Sequence, residues 1–327
     1  MMKKLNNWII ILLLINPLMI FSMNNWMNLW MNMEMNMLIF LTFIILNNKY
    51  LYDLPMKYYL INSLSSMIFF MMMNLLILNN LMVFKYLMNL MMMIKLGLFP
   101  FYYWFLEMMI FINWMSCFFL SVWQKLFPLY LINLLMLKDM NMIFVIFNGI
   151  FSMFMVINEY MLKKIFSYSS INHMIWMILI LMVNIIFFFV YYIIYLMLNF
   201  MLMMIFKKIN VLSLVDLLNE SLNMNIYFIM IIISIGGLPP FLGFLMKFML
   251  IYEMILHMKF FLILMLIFFS LFFLYFYMRL SLNYMMMNFM KLKFYIYKLF
   301  YNNFYLILNI KIFNMLNLLM MFIYIIF

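Results

Sequence analysis

The stretch "SIGGLPPFLGFLMKFML", Ser234–Leu250, decides how this chain must be read. It holds three of the five glycines and two of the six prolines in 327 residues, and it sets a lysine, Lys247, among apolar neighbours. Gly236-Gly237 and Pro239-Pro240 weaken helix geometry and remove two backbone N–H donors. Around them the chain is 72% hydrophobic and 8% charged, with a mean hydropathy of +1.19. Soluble domains run nearer to about half apolar and about a quarter charged. Apolar runs of about 20 residues, the length that crosses a hydrocarbon core as a helix, recur from end to end. A membrane β-barrel would alternate apolar and polar residues in short segments, and this sequence does not. The expected fold is an all-α polytopic membrane protein. Broken backbone at membrane depth persists only where protein or a water-filled cavity satisfies it, and transporters use such breaks to aim half-helix ends at ions.

The residue bias has a separate origin. Met (50), Phe (41) and Tyr (23) join Ile, Leu, Asn and Lys as the dominant residues, and alanine is absent. These have A/T-rich codons, so most positions reflect an A/T-rich genome, and the methionines fit a code with a second methionine codon, as in animal mitochondria. A Gly, Pro, Glu or Asp that persists under such pressure is informative. One cysteine, Cys117, excludes an intrachain disulfide and a cysteine-ligated cluster. His173 and His257 lie too far apart for metal-ligand spacing. No glycine-rich nucleotide-binding signature is present. The +11 charge is scattered between apolar spans, which argues against nucleic acid. The start, "MMKKLNNWIIILLLINPLMIF", lacks a small-residue cleavage site and an Arg-rich amphipathic transit pattern, so it is read as a retained first span.

Punctuation by Asn, Lys, Asp and Pro predicts about eleven spans in a single transmembrane domain over 1–327: 5–23, 26–46, 57–78, 81–111, 115–137, 141–160, 165–184, 187–206, 225–251, 259–280 and 303–326. With that count Lys3, Lys4, Lys49, Lys57, Lys163, Lys164, Lys207, Lys208, Arg279, Lys291, Lys293 and Lys298 fall on the N-terminal side. Lys138 and Lys259 fall opposite. The positive-inside rule then places the N-terminus on the matrix or cytoplasmic side.

Four ionisable residues do not fit in loops: Glu34, Lys95, Lys125 and Lys247. Each is expected roughly 10–15 Å from a membrane surface at 1.5 Å per residue. Charges there are costly, and they mark functional sites unless a long lysine stem carries its ammonium to the interface. Desolvation favours the neutral form of such groups, and a nearby opposite charge restores the ionised form. Moving the partner therefore switches proton affinity, and Glu34 beside Lys95 is the expected switching pair. "KLGLFP" repeats the device of the opening stretch, with Lys95 followed by Gly97 and Pro100. Pro128 follows Lys125, and Pro17 and Pro128 also read as ordinary proline kinks.

Together "MEMNML" (33–38), "KLGLFPFYYWFLE" (95–107), "WQKLFP" (123–128), "FSYSSINHMIWM" (166–177), "GGLPPFLGFLMKF" (236–248) and "LYFYMRL" (274–280) resemble the subunit 2 family of mitochondrial NADH dehydrogenase. That family is an antiporter-like membrane component of respiratory complex I. The resemblance runs nearly the whole chain in the same order. It implies an antiporter-like fold with discontinuous helices and a place in the mitochondrial inner membrane, among other membrane-arm subunits and lipid. It also implies a proton path through Glu34, Lys95, Lys125 and Lys247, with Glu107, His173 and Tyr102 as secondary candidates. NADH, FMN, iron–sulfur clusters and ubiquinone are expected on other subunits, so no cofactor, metal, nucleic acid or soluble substrate is expected here. Departures are Tyr102 in place of a family histidine, Leu106 in place of a proline and Ile175 in place of a glycine. His173 lies near the matrix end of its expected span, as a proton uptake residue or a polar helix-end residue. A stand-alone cation/proton antiporter and a purely structural subunit are the competing readings.

Overall fold

A computed structural model describes residues 2–47, 53–79, 81–135, 137–209, 222–239 and 241–295. Pro240, Lys49, Lys298 and the span expected at 303–326 lie outside the described residues. Each element among them is helical. α1 (Met2–Ile15) tightens into a 3-10 turn over Asn16–Ser22. α2 (Trp26–Asn47), α3 (Asp53–Asn79), α4 (Met82–Leu96), α5 (Tyr103–Phe111), α6 (Trp114–Ser121) and α7 (Leu126–Leu135) follow. Then come α8 (Lys138–Val156), α9 (Leu162–Val183), α10 (Ile185–Ile209), α11 (Leu222–Gly236), α12 (Leu242–Leu256) and α13 (Phe260–Tyr295). Among the described residues seven stretches are long and apolar enough to cross a membrane: α2, α3, the α6–α7 run, α8, α9, α10 and α13. The spans expected at 5–23, 81–111, 115–137 and 225–251 are each divided. α13 continues 36 residues to Tyr295, through most of what the sequence reads as a linker.

The helices bury polar faces and expose apolar ones. On α3 the exposed row is Met56, Leu60, Leu64, Met67, Met71 and Leu78, at helical spacing. Its buried row is Tyr58, Asn62, Ser65, Phe69 and Met73. α8 buries Asn141, Asn148 and Ser152 while exposing Ile143, Phe147, Ile150 and Phe154. A helix in water would do the reverse. In lipid the apolar surround leaves polar groups to find partners inside the protein.

The described residues fall into two compact units, within Met1–Glu159 and Lys163–Ile185, and within Tyr160–Leu162 and Ile186–Phe327. In the first unit Pro17 shows how an interruption is satisfied. Proline lacks the N–H that would bond the Leu13 carbonyl, and the Trp123 indole donates to that carbonyl at 2.7 Å. Asn32 Nδ2 donates to the Asn16 carbonyl at 3.1 Å.

The two Gly-Pro interruptions share a backbone pattern. α4 ends with Gly97 at φ 66°, Leu98 N–H on the Met93 carbonyl at 3.1 Å, and Phe101 N–H on the Leu98 carbonyl at 2.7 Å. α11 ends with Gly237 at φ 80°, Leu238 N–H on the Ile233 carbonyl at 3.5 Å, and Phe241 N–H on the Leu238 carbonyl at 2.9 Å. A positive φ at the residue after the helix is the usual place for glycine.

Gly243 serves close packing instead. A Cβ there would overlap the Ser234 carbonyl oxygen and lie 2.7 Å from its carbon, so α12 lies directly on α11. Gly243→Ala must push the two apart, at a cost of ~1–3 kcal/mol. The expected result is a lower thermal midpoint in the detergent-solubilised assembly. An unchanged midpoint would refute backbone contact at this position.

Candidate functional site

In the first unit, Lys95 and Lys125 line one cavity of about 30 Å³. Its wall also holds Asn36, Tyr58, Asn62, Trp104 and Gln124. A water requires roughly 10–15 Å³ measured this way, so about two fit, and the lining is polar enough to hold them.

Lys125 arrives through a defect in its span. α6 stops at Ser121, a 3-10 turn covers Trp123–Lys125, and α7 starts at Leu126. Pro128 is in the first turn of α7, and the residue four before it, Gln124, whose carbonyl a proline leaves without an N–H partner, lies in that irregular turn. Lys125 is 2% exposed. Its Nζ donates to Ser170 Oγ of α9 at 3.1 Å and lies 4.2 Å from the centre of the Phe105 ring. Ser170 Oγ in turn donates to the Ser167 carbonyl at 2.7 Å. A desolvated cation over an aromatic face gains ~0.5–2 kcal/mol.

Lys95 occupies the last turn of α4, where the helix dipole favours a cation. It makes no hydrogen bond to a described residue, and Glu34 is the charged side chain whose field acts on it. Glu34 acts on Tyr58 as well, and Oε1 of Glu34 is buried with no hydrogen-bond partner among the described residues. Glu34 and Lys95 are thus electrostatic neighbours without a contact ion pair. Beside them Asn36 Nδ2 donates to Gln124 Oε1 at 2.8 Å, and Gln124 Nε2 returns a bond to Asn36 Oδ1 at 3.3 Å. This pair ties α2 to the turn carrying Lys125.

The secondary candidates lie elsewhere. Glu107 pairs with Lys57 of α3 at 2.8 Å in a partly exposed bridge. Tyr102 packs against Phe151 with ring centroids 4.2 Å apart and planes tilted by 50°. His173 is buried roughly 16 Å along α9 at 1.5 Å per residue, in the middle third of the helix rather than near either end. It follows Ser170 by one turn.

Lys163 departs from its expected place in a loop. It is 7% exposed in the first turn of α9. Its Nζ donates to the Ile110 carbonyl at 2.8 Å and the Ile112 carbonyl at 2.6 Å, at the end of α5. The Trp114 ring centre is 5.4 Å away. Lys164 points to Glu159 at 2.9 Å.

In the second unit Lys247 is 6% exposed. Its Nζ donates to the Gly236 carbonyl at 2.7 Å. In a continuous helix that carbonyl would receive the N–H of residue 240, and the sequence supplies a proline there. The lysine stem crosses Gly237 so closely that a Cβ on that glycine would lie 2.8 Å from Nζ. Of the two partners open to a freed carbonyl at the break, protein or water, Gly236 has protein, since the lysine bonds its oxygen.

Residues 23–274 match the family described as NADH:quinone oxidoreductase/Mrp antiporter, TM. NADH-ubiquinone oxidoreductase chain 2 of Anopheles gambiae is 31% identical over 303 residues, covering 89% of this chain and 89% of its own length. This chain belongs to the NADH-ubiquinone oxidoreductase chain 2 family. The Lumbricus terrestris relative is 33% identical over 259 residues, 76% of this chain and 77% of its own. Among solved structures, respiratory complex I from Thermus thermophilus with bound aureothin gives a TM-score of 0.71 at 17% identity. That match covers 77% of this chain and 64% of the other. The Mrp complex from Dietzia sp. gives 0.66 at 12%, covering 78% of this chain and 56% of the other. At these identities the structural likeness establishes the antiporter-like fold of a multi-pass membrane protein.

Sequence reasoning missed Asn36, Tyr58, Asn62, Gln124 and Ser170. Asparagine and tyrosine are abundant in this chain for codon reasons, which hides them. Gln124 carried a usable signal, as a scarce residue directly before Lys125. Among the described residues no three His, Cys, Asp or Glu side chains gather in a metal-binding group.

Proposed function

We propose that this chain is a proton-translocating membrane-arm subunit of NADH–ubiquinone oxidoreductase in the mitochondrial inner membrane. The observation that carries the reading is the polar cavity shared by Lys95 and Lys125, with the field of Glu34 on Lys95. Glu34 sets how readily Lys95 keeps its proton. Water in the cavity passes that proton to Lys125, and Lys247 serves a further step beside the ninth-span break. Redox chemistry belongs to other subunits, and other membrane-arm subunits and lipid surround this one. The eleven-span topology with a matrix N-terminus agrees with the basic-residue asymmetry.

Glu34→Gln tests the switching role in the assembled complex reconstituted in sealed vesicles. It removes the field on Lys95 while keeping side-chain volume. Proton transfer per electron is expected to fall while NADH oxidation by the hydrophilic arm persists. An unchanged ratio and rate would overturn the role of Glu34.

A second reading rests on the likeness to the Mrp complex, that the chain works as a stand-alone cation/proton antiporter. Reconstituting the isolated chain discriminates. Cation-driven proton exchange without NADH oxidation would favour the antiporter.

A further inference from the structure

We propose that a second cavity, at the ends of α7, α8 and α9 remote from Lys163, is an aqueous vestibule that Lys95 reaches through the Asn89–Asn141 pair. This inference rests on the proton-translocating reading above and adds a route and its residues.

The cavity measures about 230 Å³ and is lined by Asn133, Lys138 and Asn141 against Ile132, Ile178 and Leu181 among others. An apolar void of such size stays dry, whereas one with several polar groups takes up water. Lys138 at the start of α8 is exposed, and Asn133 is half-buried near the end of α7. Polar access and an apolar floor thus meet at one end of these helices.

Asn141 joins this cavity to the helix of Lys95. It is buried, and its Oδ1 accepts from Asn89 Nδ2 of α4 at 2.6 Å. Asn89 is 1% exposed, and its own Oδ1 has no hydrogen-bond partner among the described residues. A buried amide oxygen left open costs ~1–3 kcal/mol, and a bound water removes that cost. Lys95 follows Asn89 by six residues, roughly 9 Å along the helix. The two lie about 120° apart around the helix, so water must bridge them. Beyond Lys95, Phe99 N–H donates to Asn148 Oδ1 of α8 at 2.6 Å. α8 therefore lays Asn141 and Asn148 on either side of Lys95, in a protein that faces apolar residues to lipid. A merely structural pair would close its own acceptors, and Asn89 does not.

The test uses the assembled complex with Cys117→Ser as background, in sealed vesicles of either orientation. Asn133→Cys and Asn141→Cys are exposed to a small cationic thiol reagent that does not cross membranes. Lys164→Cys, on a partly exposed residue at the opposite end of α9 from Ile178 and Leu181, marks the other face. The vestibule requires Asn133→Cys and Asn141→Cys to react from the face where Lys164→Cys does not. Absence of reaction, as for a cavity filled by lipid chains, or reaction from the Lys164 face overturns it.

Asn141→Leu removes the polar link, and proton transfer per electron is expected to fall at least about tenfold in rate. Asn141→Gln, which keeps the amide, should recover most of it. Full transfer with Asn141→Leu overturns the route even if the cavity labels. Lys95→Met separates the two levels. If it abolishes transfer while the vestibule tests fail, the route is wrong and the function stands. If Lys95→Met leaves transfer intact, the functional reading itself fails.

Discussion

Lys247→Met is expected to stop proton transfer through this chain and also to loosen the ninth-span break. Two effects combine. The variant removes a titratable amine, and a side chain that passes a proton contributes ~100-fold or more to its step. It also strands the Gly236 carbonyl, which now accepts from Nζ at 2.7 Å, and an open buried acceptor costs ~1–3 kcal/mol. Lys247→Arg separates these. Arginine can still bond the carbonyl but stays charged under all working conditions. The expected outcome is a thermal midpoint near wild type for Lys247→Arg and a lowered one for Lys247→Met, with proton transfer lost in both. Full proton transfer with arginine at 247 would show that the residue is structural only, a strap across the break.

Much of this was legible in the sequence, for a reason that also explains the gaps. In a chain with so few charges and five glycines, Glu34, Lys95, Lys125, Lys247 and the Gly-Pro breaks stand out against the codon bias. The same bias hides asparagine. Asn89, Asn141 and Asn148 look like drift along an apolar helix, and only the fold shows each of them bonded across helices. The Asn36–Gln124 pair was likewise invisible, because its members are far apart in the chain and neither lies in a periodic pattern. The span expected at 259–280 matches the apolar stretch Phe260–Leu282, and α13 runs on past it because basic residues after Leu280 do not end a helix. The break at Ser234–Phe241 was readable from Gly and Pro. Its carbonyl's partner was not, because a side chain reaching back eleven residues across an interruption follows no helical spacing.

Lys163→Met is expected to cost more than any neighbouring surface change, and the adjacent lysine provides the contrast. Lys163 and Lys164 read identically in sequence, as a basic pair between spans. In the fold, Lys164 makes a partly exposed pair with Glu159, and its loss is worth at most about 1 kcal/mol. Lys163 is buried with two carbonyls of the α5 end on its ammonium. Methionine would strip the ammonium from both, leaving the Ile112 carbonyl with only a weak bond from Cys117 Sγ at 3.6 Å; an open buried acceptor costs ~1–3 kcal/mol, against a total stability of ~5–15 kcal/mol for a typical domain. The thermal midpoint of the assembled protein should therefore fall sharply for Lys163→Met and little for Lys164→Met, with Lys163→Arg intermediate or better. Equal effects would refute the clamp. The same physics recurs at three lysines. Lys95 lies in the last turn of α4, Lys163 grips the end of α5, and Lys247 grips the end of α11. Each cation lies at the negative end of a helix dipole, and at Lys163 and Lys247 the interrupted span also supplies the carbonyl that the ammonium bonds. At Lys163 the ammonium donates to two such carbonyls, and the residue holds α5, which carries Phe105 beneath Lys125. A Lys163→Met protein that still assembles at low temperature should then show slowed transfer at Lys125 as α5 shifts, and arginine at 163 should restore it.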